Sequence, residues 1–275
     1  MAAVRSDSAR VDTLHIILLA IVQGLTEFLP ISSSAHLVLL PSLLRWPEHG
    51  LVFDVAVHFG SLLAVLYYFR REVHRMLCAW IHSLAGRGAS ADSLLAWWVI
   101  IGTLPTIAVG FLFQHGIENV MRAPWIVAAA SILFGLLLLF ADRVGERRRD
   151  EYSLTLKDVL IIGCSQVLAL IPGTSRSGIT ITLALFLGLS RKAAARFSFL
   201  LAMPVIFASG VLQSVRMFTQ VNPIGWSELA LGIAVSALAA GLCIHYFLRL
   251  VDRVGMLPFV IYRVLLGVLI LALLY

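Results

Sequence analysis

Two short polar stretches in an otherwise apolar chain hold the residue types that chemistry needs. The first is QGLTEFLPISSSAH over 23–36 and the second is PGTSRSG over 172–178. Gln23 and Glu27 are four residues apart, on one helical face. Their oxygens can address one ligand or one divalent cation, and Mg²⁺ or Ca²⁺ binds phosphates alongside a carboxylate. Ser32, Ser33 and Ser34 follow Pro30, where a second helix would start. One of them is expected to cap that helix. Together they present hydroxyls and amides where a helix dipole favours an anion. His36 lies three residues past Ser33, on the same face, and a hydroxyl beside an imidazole can be a nucleophile with its base. In the second stretch Gly173 and Gly178 allow close backbone approach, and Thr174, Ser175 and Ser177 add donors. Arg176 supplies a fork that matches phosphate oxygens. A charged side chain at this depth costs about 2.5–3.5 kcal/mol on insertion scales. A Glu27–Arg176 salt bridge could relieve both charges with no further purpose. It would not explain why the arginine sits among glycines and hydroxyls.

The elements that position these groups must be membrane helices. The chain has 275 residues, 60% hydrophobic and 13% charged, with a mean hydropathy of +0.95. Soluble domains carry about 25% charged residues. No polar linker separates two soluble units, so residues 1–275 read as one integral membrane domain. The net charge of +6 comes from basic residues scattered over short loops, which argues against a nucleic-acid partner. Cys78, Cys164 and Cys243 are far apart and read as packing residues, not as a metal or disulfide set. The N-terminal segment lacks a small-residue cleavage site and reads as part of the mature chain. Among other polar residues, Asp54 reads as a helix end or cap and His15 as an interfacial residue. His58 is a candidate for the site entrance. Arg263 is expected to snorkel or to pair structurally. Arg147, Arg148 and Arg149 read as a solvated loop able to touch anionic lipid heads.

Six apolar runs are long enough to span: roughly 51–69, 94–113, 124–141, 197–215, 227–248 and 257–275. Two more regions, 13–44 and 159–190, are broken by the polar stretches into halves too short to span comfortably. Irregular backbone at membrane depth must be buried in protein or line a wet cavity, so each is expected to be a re-entrant helix-loop-helix hairpin. With both hairpins returning to their own side, the loops 70–92, 142–158, 190–196 and 249–256 share one face and hold 14 of the 21 Lys and Arg. The opposite loops hold five. The richer face is expected to be cytoplasmic. Each broken segment precedes three spanning runs, so the halves 1–145 and 155–275 enter from opposite faces, as in inverted-topology repeats whose sites lie near the midplane. The expected fold is an all-α polytopic membrane protein with six spanning helices and two hairpins.

QGLTEFLPISSSAH and PGTSRSG closely resemble the two signature motifs of bacterial undecaprenyl-diphosphate phosphatases, the family linked to bacitracin resistance. The resemblance runs nearly the whole chain, including FDVAVHFGS at 53–61, FSFLLAMP at 197–204 and PFVIYR at 258–263. One departure is His58, where a close relative carries Gln. The resemblance implies removal of the terminal phosphate from a C55 polyprenyl diphosphate. That recycles the carrier lipid for peptidoglycan synthesis at the inner membrane, from a site opening to the periplasm. It implies catalytic roles for Glu27, Ser33, His36 and Arg176. The attack is expected from Ser33 with His36 or Glu27 as base; His36 itself and direct water attack stay open as nucleophiles. Glu27 and Gln23 are the expected ligands of Mg²⁺ or Ca²⁺. Ser32, Ser34, Gly173, Thr174, Ser175, Ser177 and Gly178 are the expected phosphate cradle. A carrier or flippase for a phosphorylated polyprenyl lipid is the rival reading, and a homodimer stays open.

Overall fold

The computed structural model describes residues 13–44, 46, 50–120, 123–217 and 225–274. The segments that hold the sparse positive charges of the less basic face lie largely outside these residues. Eleven α-helices follow in order: α1 (Thr13–Phe28), α2 (Ser33–Leu44), α3 (Gly50–Tyr68), α4 (Arg70–Leu84), α5 (Ala91–Val120), α6 (Pro124–Val144), α7 (Leu156–Ser165), α8 (Arg176–Phe186), α9 (Arg191–Met217), α10 (Trp226–Val254) and α11 (Leu257–Leu274). No β-strand occurs among the described residues, only one isolated bridge between Arg149 and Leu189.

Among the described residues six helices are long and apolar enough to cross a membrane: Gly50–Tyr68, Ala91–Leu112, Pro124–Val144, Arg191–Gln213, Trp226–Val254 and Leu257–Leu274. They coincide with the six runs expected from sequence. The helices on either side of the polar stretches are short: α1 has 16 residues, α2 has 12, α7 has 10 and α8 has 11. At 1.5 Å per residue the longest covers about 24 Å, against about 30 Å of hydrocarbon. Local signals fix their ends. Thr155 and Asp158 form a reciprocal capping box at the start of α7, which satisfies two orphan amides. The Ser175 side chain accepts from the Gly178 amide at the start of α8. Ser32 (φ 71°) and Ser175 (φ 69°) both have left-handed backbone one residue before the second helix of each broken segment. L-residues adopt that conformation only where the surroundings impose it.

Packing brings α1 and α3 onto α10 through small residues. A Cβ on Gly60 would lie 2.4 Å from the Ile233 carbonyl oxygen, and one on Gly24 2.5 Å from that of Ser236. Ser236 Oγ donates to the Val57 carbonyl at 2.7 Å across the same seam. Lipid tails are as apolar as leucine, so such close contacts and interhelical hydrogen bonds, not water exclusion, specify the pairing.

Arg263 does not snorkel. Its exposure is 0%, and its guanidinium joins the two broken segments. Nη1 donates to the Pro30 carbonyl at 3.3 Å, Nη2 to those of Gly173 and Thr174 at 2.9 and 2.8 Å, and Nε to that of Ser131 at 3.1 Å. Ser177 Oγ adds a bond to the Leu29 carbonyl at 2.7 Å.

Several charges read as loop charges are structural ties. Arg191 pairs with both oxygens of Asp142 at 2.6 and 2.8 Å. Arg196 bridges Glu72 at 2.7 Å and Glu151 at 2.5 Å. Arg149, read as solvated, instead donates to Asp158 at 2.6 Å and to the Leu187 carbonyl at 2.9 Å. Burial opposes the charged form of Asp158, but the bonds from Arg149 and Thr155 outweigh it and hold its carboxyl below the usual range. That contribution is present at neutral pH and is lost as pH falls through the lowered pKa. Residues 70–84, expected as loop, form α4, with Leu77, Ile81 and Leu84 exposed beside its basic positions. Asp54 lies a turn inside α3 and is not its cap. Only Cys243 is a buried cysteine; Cys78 and Cys164 are exposed.

Removing Arg263 would leave buried carbonyls of both breaks unpaired, at about 1–3 kcal/mol each. Arg263→Met is expected to lower the thermal unfolding midpoint in detergent strongly, and Arg263→Lys to rescue little, because one ammonium cannot span four carbonyls. The exposed Arg253→Met is the control. Equal midpoints for Arg263→Met and Arg253→Met would contradict this assignment.

Candidate active site

The two breaks meet at a cavity of about 190 Å³ whose polar wall is Glu27, Ser32, Ser33, Ser34, His58, Ser175 and Arg176. Ser209 and Gln213 of α9 complete the polar lining. Glu27 is the hub. It ends α1 and is only 8% exposed. Its Oε1 accepts from Arg176 Nη2 at 2.9 Å. Its Oε2 accepts from Ser33 Oγ at 2.7 Å and from Gln23 Nε2 at 2.9 Å. His58 Nδ1 donates to the Asp54 carbonyl at 2.7 Å, so its Nε2, 3.6 Å from Glu27 Oε2, bears a proton for that carboxylate only when the ring is charged. The expected Glu27–Arg176 pair exists, but it sits inside a hydroxyl-lined cavity instead of merely joining two helices.

Ser33 is the first residue of α2, so its hydroxyl and amide both face the break. A serine hydroxyl at 2.7 Å from a carboxylate has the geometry of a nucleophile beside its base. His36 directs its hydrogen bonds elsewhere. Its Nδ1 donates to the Ser32 carbonyl at 2.7 Å and its Nε2 pairs with the Tyr262 hydroxyl, while the two rings stack at 5.6 Å. Of the two bases considered for Ser33, Glu27 is therefore the one that touches it. His36 braces the Ser32–Ser33 turn.

The second stretch divides its labour. Arg176 faces the cavity and also donates from Nη1 to the Ser198 carbonyl at 3.3 Å. Ser175 lines the cavity, and its Oγ lies 3.2 Å from that of Ser177. Gly173, Thr174 and Gly178 support the break from behind. Gly173 has φ 93°, and a Cβ there would lie 2.3 Å from the Val127 carbonyl oxygen; one on Gly178 would lie 2.6 Å from Arg263 Nη1. Thr174 is fully buried. Gln166 does not reach the cavity; it donates to the Gly102 carbonyl at 3.0 Å and ties α5 to the end of α7.

Among the described residues, no group of three or more His, Cys, Asp or Glu could hold a metal by itself. Gln23 Oε1, however, is buried without a hydrogen-bond partner, on the amide whose Nε2 donates to Glu27. One amide oxygen and one carboxylate fit a cation that takes its remaining ligands from phosphate and water, the usual arrangement for Mg²⁺.

Sequence reasoning gave Ser198, Tyr262 and Arg263 no part in the site and left His58 as an entrance candidate. The segments FDVAVHFGS, FSFLLAMP and PFVIYR contain all four, so the signal was there. The reading treated these stretches as likeness and did not ask which polar residue each one delivers to the breaks.

The chain is similar to known proteins along nearly its whole length. A family model described as "Bacitracin resistance protein BacA" matches residues 16–269. The chain is 56% identical over 265 residues to "Undecaprenyl-diphosphatase 2" of Stutzerimonas stutzeri, covering 95% of this chain and 98% of the relative. It is 54% identical over 258 residues to "Undecaprenyl-diphosphatase" of Nitrosococcus oceani, covering 94% and 97%. It is also 54% identical over 260 residues to the protein of that name from Chromohalobacter salexigens, covering 94% and 98%.

The supporting role of Gly178 is directly testable. Gly178→Ala is expected to displace the Arg263 guanidinium and lower the unfolding midpoint. Gly241→Ala, where a Cβ meets nothing within 4 Å, is expected to be neutral or slightly stabilising. Matching midpoints for the two variants would remove Gly178 from this role.

Proposed function

The chain belongs to the bacitracin resistance protein BacA family, and we propose on that premise that it is an undecaprenyl-diphosphatase. It removes the terminal phosphate of undecaprenyl diphosphate, recycling the carrier lipid for peptidoglycan synthesis in the inner membrane. The observation that carries the mechanism is the Ser33–Glu27–Arg176 chain of hydrogen bonds at the meeting of two membrane breaks. Glu27 takes the Ser33 proton as Oγ attacks the terminal phosphorus. The bond from that phosphorus to the bridging oxygen breaks, and undecaprenyl phosphate departs. Water then releases phosphate from the serine. Arg176, with the hydroxyls and amides of Ser32, Ser34 and Ser175, holds the phosphate oxygens as charge moves; positioning and electrostatics dominate such transfers. Ser177, expected in the cradle, instead commits its hydroxyl to the Leu29 carbonyl and supports the break. Arg176 exchanges part of its bond to Glu27 for the substrate. Gly173, Thr174 and Gly178 serve the cradle through its backbone, and His36 with Tyr262 keeps the Ser33 turn in place. Gln23 and Glu27 are the proposed protein ligands of a divalent cation, Mg²⁺ or Ca²⁺, which when bound would neutralise diphosphate charge.

We read α1–α2 and α7–α8 as re-entrant hairpins in two inverted halves, 1–145 and 155–275. Their lengths, the matched left-handed serines and the three spanning helices after each pair support this. The positive-inside bias places the start of α9 in the cytoplasm. Ser209 and Gln213 lie toward the other end of α9, which favours a cavity opening to the periplasm.

The test is phosphate release from undecaprenyl diphosphate by purified protein in detergent. Ser33→Ala and Glu27→Gln are expected to reduce kcat by about 100-fold or more, and Arg176→Lys, which keeps the charge but loses the fork, by about 100-fold. Chelation of divalent cations is expected to suppress turnover reversibly. If all three variants release phosphate at the normal rate, the assignment is wrong. Transport of the lipid in liposomes without any hydrolysis would favour the carrier reading, which inverted repeats also support.

A further inference from the structure

The polar cavity does not end in protein on every side. Val55, His58, Ile206 and Gly210 also wall an apolar chamber of about 560 Å³ between α3, α9 and α10. Phe59, Ala230 and Ile233 form much of the rest of its lining. Leu62 and Phe207 in turn wall a second apolar chamber of about 640 Å³, between α3, α4, α5 and α9, with Leu66, Leu77, Ile100 and Met203 among its lining. The three spaces are thus consecutive along α3 and α9. The first chamber follows the half of α9 that holds Gly210, and the second follows the half that holds Leu200. Leu62 is buried and Phe207 is 61% exposed, so the junction has one wall inside the protein and one ring on its outer surface.

We propose that this groove holds the prenyl chain of the substrate, with the Leu62–Phe207 junction dividing a near chamber used by every prenyl diphosphate from a far chamber reached only by long chains. The proposal rests on the phosphatase reading above. Its physical basis is continuity: a head bound at Arg176 shares a wall with an apolar space, and that space leads to another. The walls are almost wholly apolar, so they reward chain length and ask for no polar group along the tail. Lipid and detergent are as apolar as these walls, so packing contacts along the groove, not water exclusion, favour the longer chain. Leu77 places the far chamber partly on α4, and Ile100 places it partly on α5.

The test compares kcat/KM for C55 and C15 prenyl diphosphates in detergent. Ile100→Trp and Leu77→Trp, which fill the far chamber from two different helices, are each expected to lower the C55-to-C15 ratio by about tenfold as packing contacts with the far part of the tail are lost. Ala230→Trp in the near chamber is expected to lower kcat/KM for both lengths. Leu133→Trp, on a lipid-facing position of α6 that is 62% exposed, is expected to change neither. An unchanged ratio in both far-chamber variants overturns the proposal, as does an equal loss for both lengths. Retention of undecaprenyl monophosphate by the purified protein, read by native mass spectrometry, tests the groove without turnover. Retention that Ile100→Trp and Leu77→Trp leave intact overturns the groove. Retention that they weaken, together with no phosphate release by the unmodified protein, supports the groove and overturns the phosphatase reading alone.

Discussion

A backbone carbonyl that leaves a helix inside a bilayer has no water to turn to, and the rest of this structure depends on how that demand is met. Two segments leave helical geometry between apolar helices, and carbonyls of both lie within reach of one guanidinium. Arg263 answers both. Its fork reaches Pro30 in the first break and Gly173 and Thr174 in the second, with Ser131 as a further acceptor. A guanidinium has five donors and no acceptor, so it suits a cluster of carbonyls better than any other side chain. The carbonyls in turn solvate a charge that hydrocarbon would not.

With the breaks fastened from behind, the front of the same junction is free to be a site. Glu27 and Arg176 stand 2.9 Å apart across it. A buried ion pair is weak evidence for stability, because desolvation offsets much of the attraction. Its value here lies in arrangement. Glu27 also accepts from Ser33 and Gln23, and Arg176 is held by the Ser198 carbonyl. Each group that would act on a phosphate is oriented before a phosphate arrives, which is the condition for electrostatic catalysis.

The helices that carry these groups are arranged by the same kind of force. Between lipid-embedded helices the hydrophobic effect gives little drive. Gly24 and Gly60 therefore matter as gaps into which α10 backbone fits, and Ser61 and Ser236 as the bond across that gap. At the basic end, Asp142 with Arg191 and Glu72 with Arg196 bind the helix ends, where water and lipid heads compete less evenly for charge.

The sequence by itself determined the solvent, the spans and the residue types on offer for chemistry. Runs of apolar residues leave no other home than lipid, and Glu27, Ser33 and Arg176 are too costly at that depth to be incidental. It could also locate the breaks, because proline, glycine and serine clusters act over a few residues. It did not determine which partners meet. Helical spacing put His36 on the same face as Ser33 and left Glu27 as an alternative base; only the turn at Ser32 aims the Ser33 hydroxyl at the carboxylate and sends His36 to Tyr262. Arg263 looked like a residue that would reach for the interface, since nothing near it in sequence is acidic. Its partners are carbonyls 89 to 233 positions away, and carbonyls have no sequence signature. Gly178 and Thr174 read as cradle residues by type, yet the packing of α11 turns them away from the cavity. Residue type is written locally, whereas the direction a polar group faces is decided by every helix packed around it.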